Sequence, residues 1–203
     1  MDKIVFRKMI GAFWESTPCL FARELCNQPA AVGALWPSSK RLARRMTAQV
    51  PLHGRGLVIE LGAGTGAVTH ALLAQGVAHE RLRVVERSQA FVEHLRRRFP
   101  RVAVLHGDAS ALADLLPQGS RIDVIVSSLP LRSLPAAEVA TIVAQWHKLL
   151  SKNGIVIQFT YNLRGTDHRC RGFLERTSDI VWVNLPPARI LTLQRANASF
   201  APC

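Results

Sequence analysis

The sequence has few of the features that would place it in several large protein classes. Its four cysteines form no CxxC pair, and neither they nor the seven histidines have ligand spacing, so we expect no metal site and no disulfide framework. No run of 18 or more apolar residues occurs, which predicts no membrane-spanning helix. The first residues also lack the apolar stretch and cleavage site of a secretory signal, so we expect a cytoplasmic protein.

Acidic side chains are also scarce. The 203 residues include 14 Asp and Glu against 26 Lys and Arg, which gives a formal net charge of +12. Residues 1–55 carry half of this excess. Such a balance indicates an anionic partner, either nucleic acid, an acidic membrane surface or a phosphorylated substrate. Because 48% of the residues are apolar, the chain can fill a core, and a disordered or fibrous protein is excluded.

From residue 57 onward, apolar segments of strand length alternate with helical segments. This pattern is typical of a parallel sheet covered by helices on both faces. The connection between the last two segments, residues 185–189, is too short for a crossover helix and predicts an antiparallel hairpin at a sheet edge. We therefore predict a Rossmann-like α/β fold with seven strands, six of them parallel, at Leu57–Leu61, Leu82–Glu86, Val102–His106, Asp123–Ser127, Ile155–Thr160, Ile180–Asn184 and Ile190–Gln194. The predicted helices are Ala67–Gln75, Gln89–Phe99, Ala111–Leu115 and Ala136–Leu150.

Residues 1–50 do not follow this alternation and are predicted to form a helical extension to a domain at 51–203. Asp2–Glu15 has apolar residues at helical spacing and basic residues beside the opposite face, which is typical of a short amphipathic helix. Contact with a membrane and packing onto the core are both open for this helix. A second basic helix is expected to start at Lys40, with a serine before it as N-cap.

A glycine-rich segment follows the first predicted strand. Residues 60–66 read Glu-Leu-Gly-Ala-Gly-Thr-Gly, and glycines at alternate positions between a strand and a helix let a ligand lie against the main chain. Glu86 ends the next strand, where a carboxylate can accept both hydroxyls of a ribose. Asp108 follows the third strand, at a position that can bind an adenine amino group. These three markers lie at the carboxyl ends of successive strands, where such sheets bind ligands.

Glu60 separates two kinds of nucleoside ligand. A carboxylate directly before the glycines would repel a pyrophosphate but suits a ligand with an ammonium group and a sulfonium. With these motifs the sequence resembles the class I S-adenosylmethionine-dependent methyltransferases. The resemblance implies S-adenosylmethionine as cofactor, S-adenosylhomocysteine as product, and a cofactor site made of Trp36, Ser38, Ser39, Glu60, Gly62, Ala63, Gly64, Thr65, Gly66, Glu86, Arg87, Asp108, Ala109 and Ser127.

The methyl acceptor is expected at the segment that follows the fourth strand, residues 127–135, which we name the acceptor loop. Adenine dimethyltransferases of ribosomal RNA carry Asn-Leu/Ile-Pro-Tyr/Phe there, and this sequence has Ser128 in place of the Asn and Leu131 in place of the aromatic residue. The loss of the stacking ring removes about 1–3 kcal/mol of base binding. A nucleic-acid adenine N6-methyltransferase is therefore the weaker alternative, and an inactive cofactor-binding module is weaker still.

Four separated segments, at residues 34–39, 127–135, 158–161 and 184–188, resemble the bacterial phospholipid N-methyltransferases. This resemblance implies stepwise methylation of phosphatidylethanolamine towards phosphatidylcholine, with the anionic inner face of the cytoplasmic membrane as partner. It carries no prediction of oligomeric state. The expected catalytic residues are Ser128, Leu129 and Tyr161, and the expected lipid contacts are Trp36, Arg132, Tyr161 and Arg164.

Three further features are predicted to be structural. Trp146 and Trp182 are expected to pack in a helix and an edge strand. Arg96–Arg98 is expected to form a solvated helix face, because one helix cannot turn three consecutive side chains the same way.

Overall fold

The computed structural model describes residues 40–164, 169–182 and 187–196. The predicted helix at Asp2–Glu15 and the predicted site residues Trp36, Ser38 and Ser39 lie outside these ranges. The described helices are α1 (Lys40–Thr47), α2 (Ala67–Gln75), α3 (Gln89–Arg98), α4 (Leu112–Leu115), which follows a 3-10 turn at Ala109–Ala111, and α5 (Ala136–Leu149). The described strands are β1 (Leu57–Leu61), β2 (Leu82–Glu86), β3 (Ala103–His106), β4 (Ile122–Ser127), β5 (Leu150–Thr160), β6 (Phe173–Val181) and β7 (Ala188–Arg195).

These strands form one sheet in the order β3-β2-β1-β4-β5-β7-β6. Strands β1 to β5 pair in parallel, and β7 is antiparallel to both β5 and β6. Six strands therefore point one way and one points the other way. The predicted Rossmann-like sheet with an antiparallel hairpin at its edge is confirmed, and the last strand of the chain is inserted between β5 and β6.

Strand β6 differs from its predicted position. The structure has it at Phe173–Val181 rather than Ile180–Asn184. Residues 174–178 are all exposed, and the sequence there is largely polar, so no apolar run marks the strand. Hydrogen bonding along β7 defines this edge strand, and such pairing leaves no periodic signal in the sequence.

The helices cover the sheet on both faces. Helices α1, α2 and α3 pack with the first face around residues such as Met46, Leu72 and Leu95. Helices α4 and α5 pack on the opposite face around Leu112 and Trp146. The burial of both faces explains the almost continuous apolar sequence of the central strands, of which β1 and β4 are examples.

The register of the central strands brings their carboxyl ends to a common level. Leu61 of β1 lies beside Val85 of β2 and Ser127 of β4, and Ser127 lies beside Gln158 of β5. The segments that follow β1, β2 and β4 therefore leave the sheet at one edge, which we name the carboxyl edge. All the predicted cofactor residues among the described residues lie on or near this edge.

The two tryptophans have opposite environments. Trp146 is fully buried and meets the ring of Phe173 edge-on at 6.2 Å, which agrees with the expected packing role. Trp182 is 68% exposed just after β6, so the expected packing role is wrong for this residue. The reason is that β6 is an edge strand whose outer positions contact little of the core.

We predict that Trp146→Ala lowers the free energy of unfolding by about 3–5 kcal/mol, because a large buried ring leaves a cavity. Trp182→Ala is the matched control, and its effect is expected to stay within about 0.5 kcal/mol because the side chain is exposed. Denaturant unfolding followed by circular dichroism measures both values. Equal losses in the two variants would contradict the packing described here.

Candidate functional site

The glycine loop, Gly62–Gly66, turns the chain from β1 into α2. Gly62 and Gly66 have φ values of 71° and 82°, which side chains rarely adopt. A Cβ atom at Gly66 would lie 2.6 Å from the Phe99 ring, and one at Gly62 would lie 2.8 Å from Leu129. At Gly64, by contrast, a Cβ would have no heavy atom within 4 Å. The loop is thus closely packed at both ends and open at its centre, which leaves room for a ligand against the main chain.

Two arginines of α3 donate hydrogen bonds to main-chain carbonyls, and one of these carbonyls belongs to Thr65 of the glycine loop. Arg98 donates from Nη1 to the carbonyl of Thr65 at 2.7 Å. Arg96 donates to the carbonyl of Val104 at 3.0 Å. The prediction that Arg96–Arg98 is only a solvated face is therefore wrong for these two side chains, although all three are exposed. Arg98 binds a carbonyl 33 residues away and Arg96 one in the next strand, and neither contact has a signal in the local sequence.

Glu60 is fully buried beneath the start of α2. Its Oε2 accepts a hydrogen bond from Thr69 Oγ1 at 2.7 Å, while its Oε1 finds no donor among the described residues. Burial, with a smaller contribution from the charge of Glu86, raises the pKa of Glu60 from 4.5 to about 8, against the side-chain and backbone hydrogen bonds from Thr69. This position therefore favours a ligand that carries a positive charge and can donate to Oε1.

Glu86 joins the end of β2 to the glycine loop. Its carboxylate accepts the backbone N–H groups of Gly64 and Ser88, each at 2.9 Å. Burial raises the pKa of Glu86 despite these hydrogen bonds and the charge of Arg87. Each oxygen keeps a further acceptor position, because a carboxylate has about four. The geometry is thus compatible with a carboxylate that receives two ribose hydroxyls.

Asp108 lies in the same region, after β3. Its Oδ1 accepts the N–H of Ser110 at 2.8 Å, and its Oδ2 lies 3.6 Å from Arg87 Nη1. Burial would raise the pKa of Asp108, but the Ser110 hydrogen bonds and Arg87 outweigh it, so the pKa is lowered and the group is ionised. Arg87 also lies 3.7 Å from Glu138 of α5. Ala109 is buried in the core beside Asp108.

The acceptor loop begins beside the glycine loop. Ser128 donates its N–H to the carbonyl of Leu61 at 2.9 Å, and Ser127 Oγ accepts the N–H of Leu129 at 3.4 Å. The hydroxyl of Ser128 is buried and has no hydrogen-bond partner in the described part of the chain. Leu131, at the position of the base-stacking aromatic residue, is 3% exposed and belongs to the core. The structure thus brings Ser127, Ser128 and Leu129 together with the glycine loop.

Gln158 lies in β5, in the segment 158–161 already singled out from the sequence, where the residue received no role of its own. It is 1% exposed and donates from Nε2 to the carbonyls of Leu129 at 2.9 Å and Phe159 at 2.6 Å. Its Oε1 is buried and has no donor among the described residues. The signal was a single amide in the otherwise apolar run Ile-Val-Ile-Gln-Phe.

The predicted lipid contacts are less closely grouped. Tyr161 follows β5, is half-buried and meets the ring of Phe159 edge-on at 5.4 Å. Arg132 and Arg164 are exposed. Arg169, which was not predicted, donates to the carbonyls of Leu131 and Leu134 and so fixes the second half of the acceptor loop.

Two features are absent from residues 40–164, 169–182 and 187–196. No group of three or more His, Cys, Asp or Glu side chains there is arranged to hold a metal ion. No helix in these ranges is long and apolar enough to cross a membrane.

Comparison with known proteins gives one family model and several relatives. A model described as a methyltransferase domain matches residues 58–154. Ornithine lipid N-methyltransferase of Singulisphaera acidiphila is 29% identical over 89% of this chain and 97% of that protein. Ribosomal RNA small subunit methyltransferase A of Synechococcus sp. is 33% identical over 48% of this chain, which spans only 35% of that protein.

Among solved structures, N-methyltransferase NodS of Bradyrhizobium japonicum in complex with S-adenosyl-l-homocysteine has a TM-score of 0.63. The superposition covers 88% of this chain and all of NodS at 14% identity, so the similarity supports a shared fold and nothing more. The sheet order and the glycine loop agree with the methyltransferase domain model, which covers residues 58–154. This part of the chain is an S-adenosylmethionine-dependent methyltransferase domain with a Rossmann-like sheet.

We predict that Glu60→Gln reduces the pH dependence of stability of the ligand-free protein. The wild-type folded state holds the Glu60 proton up to about pH 8, whereas the unfolded chain releases it near pH 4.5. The folded state binds more protons in this interval, so the stabilising effect is complete below it and is lost as the pH rises through it. Denaturant unfolding at several pH values is expected to show a smaller loss for Glu60→Gln.

The control for this measurement is Glu80→Gln, which changes an exposed carboxylate and is expected to keep the wild-type slope. A Glu60→Gln slope equal to that of the wild type would mean that the folded protein does not hold this proton.

Proposed function

We propose that the protein is a lipid N-methyltransferase, which transfers methyl groups to the primary amine of a membrane lipid head group. Phosphatidylethanolamine and ornithine lipid both carry such an amine. The observation that carries the proposal is the acceptor loop: Leu131 is buried in the core, so no aromatic ring is available there to stack on a flipped base. A small aliphatic amine needs no stacking platform.

The comparison with the lipid enzyme supports the same substrate class. Its match extends over nearly the whole length of both proteins, whereas the ribosomal RNA enzyme matches only a part. That partial match, at 33% identity, is the observation that favours the second candidate, an adenine N6-methyltransferase. The acceptor loop argues against this candidate, because Ser128 stands in place of the Asn and Leu131 in place of the aromatic residue.

In this proposal the residues of the cofactor site contact different parts of the cofactor. Bound S-adenosylmethionine supplies an electrophilic methyl group on a sulfonium. Glu60 and Glu86 place two buried carboxyl groups next to the open centre of the glycine loop, where a cationic ligand would favour the ionised forms that burial disfavours. Glu86 is assigned to the ribose hydroxyls and Asp108 to the adenine amino group. Gly62, Ala63, Gly64, Thr65 and Gly66 line the cofactor, and Trp36, Ser38 and Ser39 are proposed to cover it.

The acceptor residues are proposed to orient the amine rather than to carry out acid–base chemistry. The amine attacks with its lone pair, so it has to be neutral when it reacts, and its proton passes to water. Ser128, Leu129 and Tyr161 are assigned to the amine and its immediate surroundings. An aromatic face such as that of Tyr161 suits the methylated, cationic head group. Arg132 and Arg164 are assigned to the anionic part of the head group.

The proposal includes peripheral contact with an anionic membrane surface. The four basic side chains of α1 are exposed, while the other face of the helix is buried, at Leu42 and Met46 among others. Arg45 pairs with Asp179 at 3.1 Å, and Asp179 is level with Phe159, one residue before the end of β5. The basic face of α1 therefore reaches the carboxyl edge of the sheet. Trp182 is exposed near this edge, and tryptophan is favoured at membrane–water interfaces.

A single assay tests the substrate class. The purified protein is incubated with methyl-labelled S-adenosylmethionine and vesicles that contain either phosphatidylethanolamine or ornithine lipid, and in a separate reaction with ribosomal RNA. We expect the label in one of the lipid extracts and none in RNA. Thin-layer separation then gives the number of methyl groups added. Label in RNA alone would overturn the proposal in favour of the adenine enzyme.

We predict that Arg41→Gln combined with Arg44→Gln weakens binding to anionic vesicles. Each basic residue near such a surface contributes about 1 kcal/mol, so the pair is worth about 2 kcal/mol, or roughly thirtyfold in affinity. Flotation with phosphatidylglycerol vesicles at low and high salt measures this binding. Arg97→Gln combined with Arg101→Gln removes the same charge from exposed positions elsewhere and is expected to have a smaller effect. Equal losses of vesicle binding in the two double variants would mean that net charge alone determines binding, and would contradict a membrane contact through α1.

A further inference from the structure

We infer that Ser128 and Gln158 form a two-oxygen pocket that accepts the two N–H groups of the acceptor amine. The inference rests on the proposed lipid amine substrate and assigns how the enzyme distinguishes its methylation steps. Ser128 Oγ and Gln158 Oε1 are both buried, and both lack a donor among the described residues.

The orientation of the Gln158 amide follows from its contacts. Its Nε2 lies within hydrogen-bond distance of two carbonyl oxygens, those of Leu129 and Phe159. A carbonyl can only accept, so the nitrogen has to be on this side, and the amide oxygen is turned away from both. The missing donor at Oε1 is therefore a property of the site and not of an inverted amide.

The two oxygens belong to neighbouring segments. Ser128 directly follows Ser127, which pairs with Gln158 in the sheet. Gln158 in turn binds the carbonyl of Leu129, the next residue of the acceptor loop. Because both oxygens lack a donor among the described residues, a ligand that enters this part of the loop can supply the donors. A buried acceptor without a donor destabilises the protein, so a ligand that donates to both oxygens removes two such penalties.

A neutral primary amine has the matching set of groups. It carries two N–H donors and one lone pair, so donation to Ser128 and Gln158 leaves the lone pair free to face the methyl group. In the reaction the N–C bond forms as the C–S bond breaks, the bonding electrons remain on sulfur, and the nitrogen then loses one proton to water. The secondary amine has one N–H group left, and the neutral tertiary amine has none.

The pocket therefore binds the unmethylated lipid best and loses one hydrogen bond with each methyl group. We expect Ser128→Ala to lower kcat/KM for the unmethylated lipid about tenfold, which corresponds to one lost hydrogen bond. For the dimethylated lipid the change is expected to stay below about twofold. Gln158→Met is expected to show the same ordering, since it removes the amide oxygen at similar volume.

The experiment measures kcat/KM for the unmethylated, monomethylated and dimethylated forms of whichever lipid the wild type methylates. Calorimetric titration with S-adenosylhomocysteine checks that the cofactor site is unchanged. Gln145→Met and Ser151→Ala are the matched controls, because their side chains bond to Ala113 and Asp123, away from the acceptor loop. Thermal unfolding is expected to show no loss for Ser128→Ala, since its hydroxyl has no partner to lose in the described structure.

The outcomes separate the two proposals. Wild-type protein that methylates neither amino lipid overturns the proposed function. Active wild type with variants that lose activity equally on all three lipid forms, or lose none, overturns only the two-oxygen pocket. If Gln158→Met fails to fold because two carbonyls lose their donor, Ser128→Ala alone decides between these results.

Discussion

The burial of a carboxyl group at the end of β1 is the constraint from which the arrangement of the site follows. Glu60 is fully enclosed, and its hydrogen bonds with Thr69 tie the end of β1 to α2. The neighbouring carboxylate of Glu86 holds the centre of the glycine loop through Gly64. Burial raises the pKa of both carboxyl groups, so a cation that binds beside them favours their ionised forms. A methyl donor with a sulfonium and an ammonium group has that charge.

The parts of this design that could be predicted are those with a local signal. The five parallel strands follow from apolar runs buried on both faces, and the glycine loop follows from three glycines between a strand and a helix. Strand β6 could not be placed correctly because its residues are exposed and polar, and only its pairing with β7 defines it. Trp182 was misjudged for the same reason, since its burial depended on the position of an edge strand.

The contacts that fix the glycine loop and the acceptor loop have even less signal in the sequence. Arg98 binds the carbonyl of Thr65, 33 residues earlier, and Gln158 binds the carbonyl of Leu129, 29 residues earlier. An arginine in a helix and a glutamine in a strand are ordinary by composition. Their roles arise because the parallel sheet brings the segments after β1 and β4 to one edge, so the fold had to be known before these contacts could be found.

In the part of the chain that the structure describes, three buried side-chain oxygens have no hydrogen-bond partner, on Glu60, Ser128 and Gln158, near the ends of three neighbouring strands. Native proteins satisfy most such groups, and each exception costs about 1–3 kcal/mol. A strand end that served only stability would carry apolar side chains here, as most buried positions of these strands do. The free-energy cost of these unpartnered oxygens is therefore concentrated where the cofactor and the acceptor amine would supply donors and positive charge. Ligand binding and local stability are then linked. The same three atoms that weaken the ligand-free sheet edge are then the ones that select what binds there.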